Sequence, residues 1–283
     1  MPEARAVALR ASGLGAASLI PRPLRAFEVF EPEFVGKMAA QALRAAGGAV
    51  AFAGGMVLTY EISRPKIPLP SEKERCCTFD RCAPSYDAEI DRDEKTSGII
   101  DLRRELVSRA RGSVLEVAGG TGRNLPFYRR DGVRELVCTD ASKEMLEVAA
   151  RKVAHARAHG GDGAPSSVTL AVVDAARQPF EDARFDTVVD SFGLCSFEDP
   201  AAALAEMRRC CKPGGRVLLL EHGVSSFYPL ALWQRHRLGR HVQKWGCYWD
   251  RDILGLVAAS GLKIVEQQRR HLGTTYVLQC EPG

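Results

Sequence analysis

The chain has 283 residues, 46% hydrophobic and 26% charged, with a formal net charge of +4. This is an ordinary globular balance, which excludes extreme compositions and leaves room for one large domain with an extension or for two small ones. The mild basicity neither requires nor excludes nucleic acid, so an RNA partner is compatible but not favoured.

Nine cysteines are present. Cys76-Cys77, Cys82 and Cys210-Cys211 lack paired metal-ligand spacing, so they read as reduced thiols of a non-secretory compartment and no metal is expected.

In residues 1–30, Arg5, Arg10, Arg22 and Arg25 stand among Ala, Leu and Ser, and Glu3 is the sole acid before Glu28. Such a start resembles an organellar transit peptide; a disordered tail is the alternative. Residues 31–64 are expected to hold a membrane-anchor helix. No charge occurs from Ala45 to Tyr60, which covers roughly 24 Å as a helix. That is short of the ~30 Å hydrocarbon core, so Met38 to Leu43 must contribute and Arg44 must snorkel or face a partner. The competing reading is a soluble Ala/Gly-rich helix on the flank of the domain. Pro65, Pro68 and Pro70 open a stiff connector over 65–95, and a folded domain is expected over 96–283.

From Thr96 onward the pattern alternates helix and strand. Ile99 to Ala110 has helical spacing, with Thr96 or Ser97 as cap. Val114–Val117, Leu136–Thr139, Val168–Val173, Thr187–Asp190 and Val217–Leu220 read as short buried strands. Ser142–His159 and Pro200–Cys211 read as helices, the second capped by Asp199. Asp250 can cap a helix through Ala259, and Ile264–Gln268 and Thr275–Cys280 supply two final strands. This succession predicts an α/β fold: a doubly wound, Rossmann-like, mostly parallel seven-stranded sheet with one antiparallel strand near its end.

In such a sheet a ligand binds at the carboxyl ends of the strands, where the chain order reverses. The turn Ala118-Gly119-Gly120-Thr121-Gly122 follows the first strand, and Asp140 closes the second, where a carboxylate can accept both hydroxyls of a ribose. A nicotinamide dinucleotide fits these two features equally well. It fits the rest less well, because Leu125 stands where its third glycine belongs and because Glu116 is unexplained by it.

"LEVAGGTGRN" resembles the first motif of class I S-adenosylmethionine-dependent methyltransferases, with Ala118 in place of the first glycine. "CTDAS", "VVDAARQPF", "FDTVVDSFGLCSFEDP" and "EMRRCCKPGGRVLLLEHG" follow in the order and spacing of the later motifs. The ending "WGCYWDRDI" and "RRHLGTTYVLQCEP" is similar to the Oms-type mitochondrial inner-membrane methyltransferase-like proteins. The resemblance implies S-adenosyl-L-methionine as cofactor. Glu116 would position the methionyl amine, and the backbone at Ala118, Gly119, Gly120 and Gly122 would approach the methionine portion. Asp140 would hold the ribose, Ala141 would line the adenine, Asp174 and Ala175 would contact the adenine, and Ser191 and Phe192 would face the sulfonium. It also implies a single-pass protein of the mitochondrial inner membrane acting on an unidentified methyl acceptor. The alternative is a structural or assembly subunit of a mitochondrial membrane complex.

A base is required only if the acceptor is protonated. His222 and Asp190 are the catalytic candidates, with Glu221 and Cys195 beside them, and His222 has the most useful range of titration. The basic, aromatic segment from Trp233 to Trp249 reads as an amphipathic helix, or as a cover for the acceptor, an RNA grip or a membrane-surface contact.

Overall fold

The computed structural model describes residues 67–159, 165 and 167–283, with isolated helical positions between 44 and 59. In the amino-terminal unit, Met1–Met56, the positions Arg44, Gly47, Gly48, Phe52 and Gly54 to Met56 are helical. Thr59 is also helical, and the presegment and the rest of the expected anchor lie outside the described residues. Among the described residues no helix is long and apolar enough to cross a membrane.

The second unit, Val57–Gly283, opens with three helices: α1 (Glu72–Cys82), α2 (Tyr86–Ser97) and α3 (Ile99–Val107). The stiff connector expected over 65–95 is therefore helical from Glu72 onward. Its sequence explains why: Ser71 and Glu74 form a reciprocal capping box that satisfies two orphan N–H groups at the start of α1. The extended stretch ahead of it crosses α6 (Tyr228–Trp245) at Gly239, where a Cβ would stand 2.0 Å from the Ile67 carbonyl oxygen.

Strands β1 (Gly112–Val117), β2 (Val133–Asp140), β3 (Val168–Val172), β4 (Phe185–Ser191), β5 (Cys211–His222), β6 (Leu262–Arg270) and β7 (Thr275–Pro282) form one sheet in the order β3-β2-β1-β4-β5-β7-β6. Strands β1 to β5 pair in parallel, while β7 lies antiparallel to both β5 and β6. The expected single antiparallel strand is β7. The chain begins in the middle at β1, winds out to β3 and restarts on the other side at β4, which places the reversal of order between β1 and β4.

The central strands are apolar runs because both faces are covered. One face packs Leu115, Val117 and Leu219 under α5 (Pro200–Cys210) and α7 (Ile253–Ala259). The other packs Val114, Leu136, Val189 and Leu218 under Leu106 and Val107 of α3 and Val153 of α4 (Lys143–Ala158).

Three local expectations differ. Thr96 and Ser97 do not cap α3, because their hydroxyls donate back to carbonyls of Arg92 and Asp93 within α2. Gly98 stands at that start instead, with φ 78°. Helix α3 ends at Val107 rather than Ala110. The cap of α7 is Asp252, which accepts from the Gly255 N–H at 3.1 Å, and not Asp250. The cap of α5 is Asp199, as the sequence indicates, while Ser142, expected as the first residue of α4, is its cap.

Candidate active site

The glycine turn after β1 serves two ends. At Gly119 a Cβ would meet Cys138 Sγ at 2.1 Å, and at Gly122 it would meet Leu125 Cδ1 at 2.6 Å. These two glycines let the turn pack against β2 and its own continuation. Only at Gly120, with φ 56°, is the space ahead of the missing side chain open, as close ligand approach requires. Ala118 holds φ 52°, a left-handed conformation that costs an L-residue roughly 1 kcal/mol. Replacing Ala118 by Gly is expected to raise stability by up to about 1 kcal/mol, read as a higher midpoint in urea.

Asp140 ends β2 directly opposite this turn. Its carboxylate accepts from the Gly120 N–H and the Ser142 N–H, each at 2.8 Å. Burial raises its pKa, with nearby Asp80 adding to the rise. Ala141 is exposed beside it. Asp174, past β3, is exposed, and one of its oxygens accepts from the Ala176 N–H at 2.9 Å. Ala175 packs against the core. These residues share the carboxyl edge of β1, β2 and β3.

Glu116 is 1% exposed. Its oxygens accept from Asn124 Nδ2 and the Tyr128 hydroxyl, both at 2.8 Å. Burial pushes its carboxyl up to about 7, against those two hydrogen bonds and the Arg103 charge. Asn124 also donates to Ser191 Oγ at 3.1 Å and accepts from Arg103 Nη1 at 2.8 Å. Glu116 therefore organises the floor of the site through Asn124, which ties β1 to the end of β4.

At the β4–β5 end, Phe192 has φ 61° and its ring lies 4.4 Å from that of His222. His222 lines a cavity of about 400 Å³ together with Trp233, His241, Trp249, His271 and Leu272. Trp233 and Trp249 have ring centroids 5.1 Å apart, and His241 stacks on Trp249 at 3.9 Å. Burial lowers His241 to about 4, with His222 and Lys244 adding to the fall, so it is neutral near pH 7. Gln234 clips α6 over this space by donating to the carbonyls of Gly223 and Trp249. The basic, aromatic segment is thus an amphipathic helix and a cavity wall at once.

Asp190 does not open onto that cavity. It is fully buried, and its carboxylate accepts from the Leu194 N–H at 3.1 Å. Burial raises both Asp190 and its neighbour Glu221, and Glu221 goes further because Asp190 repels a second charge. Each carboxyl disfavours ionisation of the other, so the enclosed pair resists carrying two charges. A carboxylate so enclosed positions the loop after β4 and does not line the cavity, which places it away from the acceptor it was expected to serve as a base.

A model of the methyltransferase domain matches residues 115–219. The phosphatidylethanolamine N-methyltransferase of Cereibacter sphaeroides is 35% identical over 157 residues, 55% of this chain and 72% of that one. The chain belongs to the class I S-adenosylmethionine-dependent methyltransferases. The mitochondrial methyltransferase OMS1 of Saccharomyces cerevisiae is 32% identical to this methyltransferase-family chain over 207 residues, 69% of the chain. The chain spans 44% of that relative's length. The crystal structure of the cyclase SpnF superposes with a TM-score of 0.57 at 17% identity, over 77% of this chain and 98% of that one. At that identity the likeness is one of fold.

Sequence reading missed the cover that this methyltransferase fold carries over its donor turn. Asp87, Asp91 and Glu94 of α2 face Arg123, with Glu94 at 2.8 Å and the two aspartates at 3.4 Å. Thr121 of the glycine turn donates to Asp87 at 2.7 Å, and Lys152 pairs with the same carboxylate at 2.5 Å. Arg103 bonds Glu94 at 2.5 Å. The i, i+4, i+7 spacing of Asp87, Asp91 and Glu94 was the available signal, since it puts three acids on one helical face.

Proposed function

We propose that this protein transfers a methyl group from S-adenosylmethionine to an acceptor whose apolar part occupies the cavity under Trp233 and Trp249. One observation carries this reading. The donor-type residues Gly120, Asp140, Ser191 and Phe192 lie along one sheet edge, and the Phe192–His222 contact is the border between that edge and a separate aromatic cavity. A sulfonium already carries an electrophilic methyl, so alignment of the two ligands across that border and exclusion of water supply much of the rate. His222 stands where it can orient the acceptor, or take its proton while its ring is not bound to a metal. Calorimetric titration with S-adenosylmethionine and with NAD tests the donor: binding of the first alone is expected, and binding of NAD alone would overturn the reading.

Glu116 makes donor binding depend on pH. Its folded pKa of about 7 stands above the ordinary 4.5, so in the free protein its burial costs stability progressively as pH rises through that window. A methionyl ammonium held nearby favours the carboxylate, so binding expels the proton. Donor affinity is expected to climb between about pH 5 and 7 and to level off until the donor's own amine titrates near pH 8. Glu116→Gln should bind with no such climb. An identical slope in the variant would remove Glu116 from this role.

We place the protein at the mitochondrial inner membrane, held through residues 38–60. The Arg-rich start, the uncharged run and the name of the yeast relative support this. Carbonate extraction of isolated mitochondria should leave the full-length chain in the membrane pellet; recovery in the supernatant would defeat the assignment.

A further inference from the structure

Two cysteines that the donor site does not use converge on His222. Cys195 lies in the loop after β4, and Cys247 follows Gly246, the residue that ends α6 in a left-handed conformation. His222 ends β5. One candidate ligand atom from each lies within 4.8 Å of the other two, and among the described residues only these three histidine, cysteine or acidic side chains form such a group. Cys195 is 1% exposed and Cys247 6%, whereas His222 lines the cavity.

We infer that Cys195, His222 and Cys247 form a binding site for a zinc-class divalent cation, with its fourth position open to the cavity. The ligand set decides the class: two thiols and an imidazole suit zinc and do not suit magnesium or calcium, which take oxygen. Tetrahedral zinc holds sulfur at about 2.3 Å and nitrogen at about 2.0–2.1 Å, which puts ligand atoms about 3.6–3.8 Å apart. The three atoms need draw in by only about 1 Å. Two thiolates and a neutral imidazole around a divalent ion are electrically neutral, as a buried site requires. Both thiol protons leave to solvent on binding.

The scaffold is already tied. The Tyr248 N–H donates to the Cys195 carbonyl at 2.7 Å, which fixes the two cysteine loops against each other. Arg251 donates to the Leu194 and Phe197 carbonyls at 2.5 and 2.7 Å, which bracket Cys195. The Phe192 ring against His222 restricts the imidazole. Three protein ligands and one open position is the arrangement of zinc sites that bind a reacting group rather than only brace a fold. The use of the open position rests on the reading of the cavity as the acceptor site; metal binding itself does not.

The test uses full-length protein purified under reducing conditions, stripped with a chelator and titrated with Co(II) and then Zn(II). Expected are one metal per chain and the strong near-ultraviolet absorption of thiolate bound to cobalt, reversed by zinc. Cys195→Ser and Cys247→Ser should each lose that absorption and weaken zinc by more than the roughly 10–100-fold that follows loss of an outer-shell partner. Donor titration of Cys247→Ser reports its fold independently. Should a variant fail to fold, X-ray absorption of the zinc-loaded wild type must show two sulfurs and a nitrogen. Protein that binds S-adenosylmethionine yet takes up no stoichiometric metal would overturn the site. So would a Cys195–Cys247 disulfide found by mass spectrometry after rapid thiol blocking. Metal uptake with these signatures in protein that binds no donor would instead uphold the site and sink the methyltransferase reading.

Discussion

Replacing Arg103 by Met is expected to lower the stability of the folded chain by about 3 kcal/mol, the lower end of the cost of breaking a buried ion pair. Arg103 is 4% exposed and joins Glu94 of α2 to Asn124, whose amide in turn holds Glu116 and Ser191. Without it Asn124 loses its orienting donor, and the carboxylate of Glu116 loses a cation that favours its charge in a site that already penalises it. Glu94 retains Arg123, which is why the upper end of the range is not reached. Arg103→Lys should recover little, because a single ammonium cannot donate along two directions fixed by a planar fork. Urea unfolding measures this; a loss below about 1 kcal/mol for Arg103→Met would show that the bonds are incidental.

Asp140→Ala should weaken S-adenosylmethionine by about 1.5–3 kcal/mol, roughly 10–150-fold, the range for hydrogen bonds to a charged group. The carboxylate is held beside the Gly120 N–H, at the point where the turn is open in front. Asp140→Asn keeps one acceptor oxygen for the turn but lacks the charge, so it should fall between wild type and Asp140→Ala. The demethylated product, which has the same ribose, should lose affinity in parallel. Unchanged affinity in a folded Asp140→Ala protein would sink the ribose assignment.

Much of this site was legible because it depends on neighbours in sequence. Glu116, the glycine turn and Asp140 sit at consecutive strand ends, and the strands themselves are uninterrupted apolar runs. Ser142 and Asp199 cap the helices that follow them for local reasons. What was not legible depends on closure in space. Gly122 reads like a ligand-facing glycine until Leu125 and Ala149 are seen to occupy the place of its side chain. Cys195, His222 and Cys247 are far apart in the chain, and no spacing rule joins them. Asp190 reads as a base at a strand end, but the Leu194 N–H and Glu221 enclose it. The prolines at 65, 68 and 70 signal an irregular connector, but the Ser71–Glu74 box just beyond them starts a helix.

The helix that covers the donor turn is made before the residues that hold it down. During synthesis α2 emerges while Arg123 and Lys152 are still unmade, and at 5–20 residues per second the wait from Glu94 to Lys152 is on the order of 3–12 s. Through that interval Asp87 has neither of its cations, and the acidic face keeps only Lys95 on Asp91 and, nine residues later, Arg103 on Glu94; its remaining charge rests in water, where charged side chains are cheapest to keep. A covering helix with an apolar face would instead be exposed to association with other nascent chains over the same seconds. Ion pairs let the cover be soluble first and docked later, and they confine its docking to the moment when the glycine turn and α4 exist to receive it.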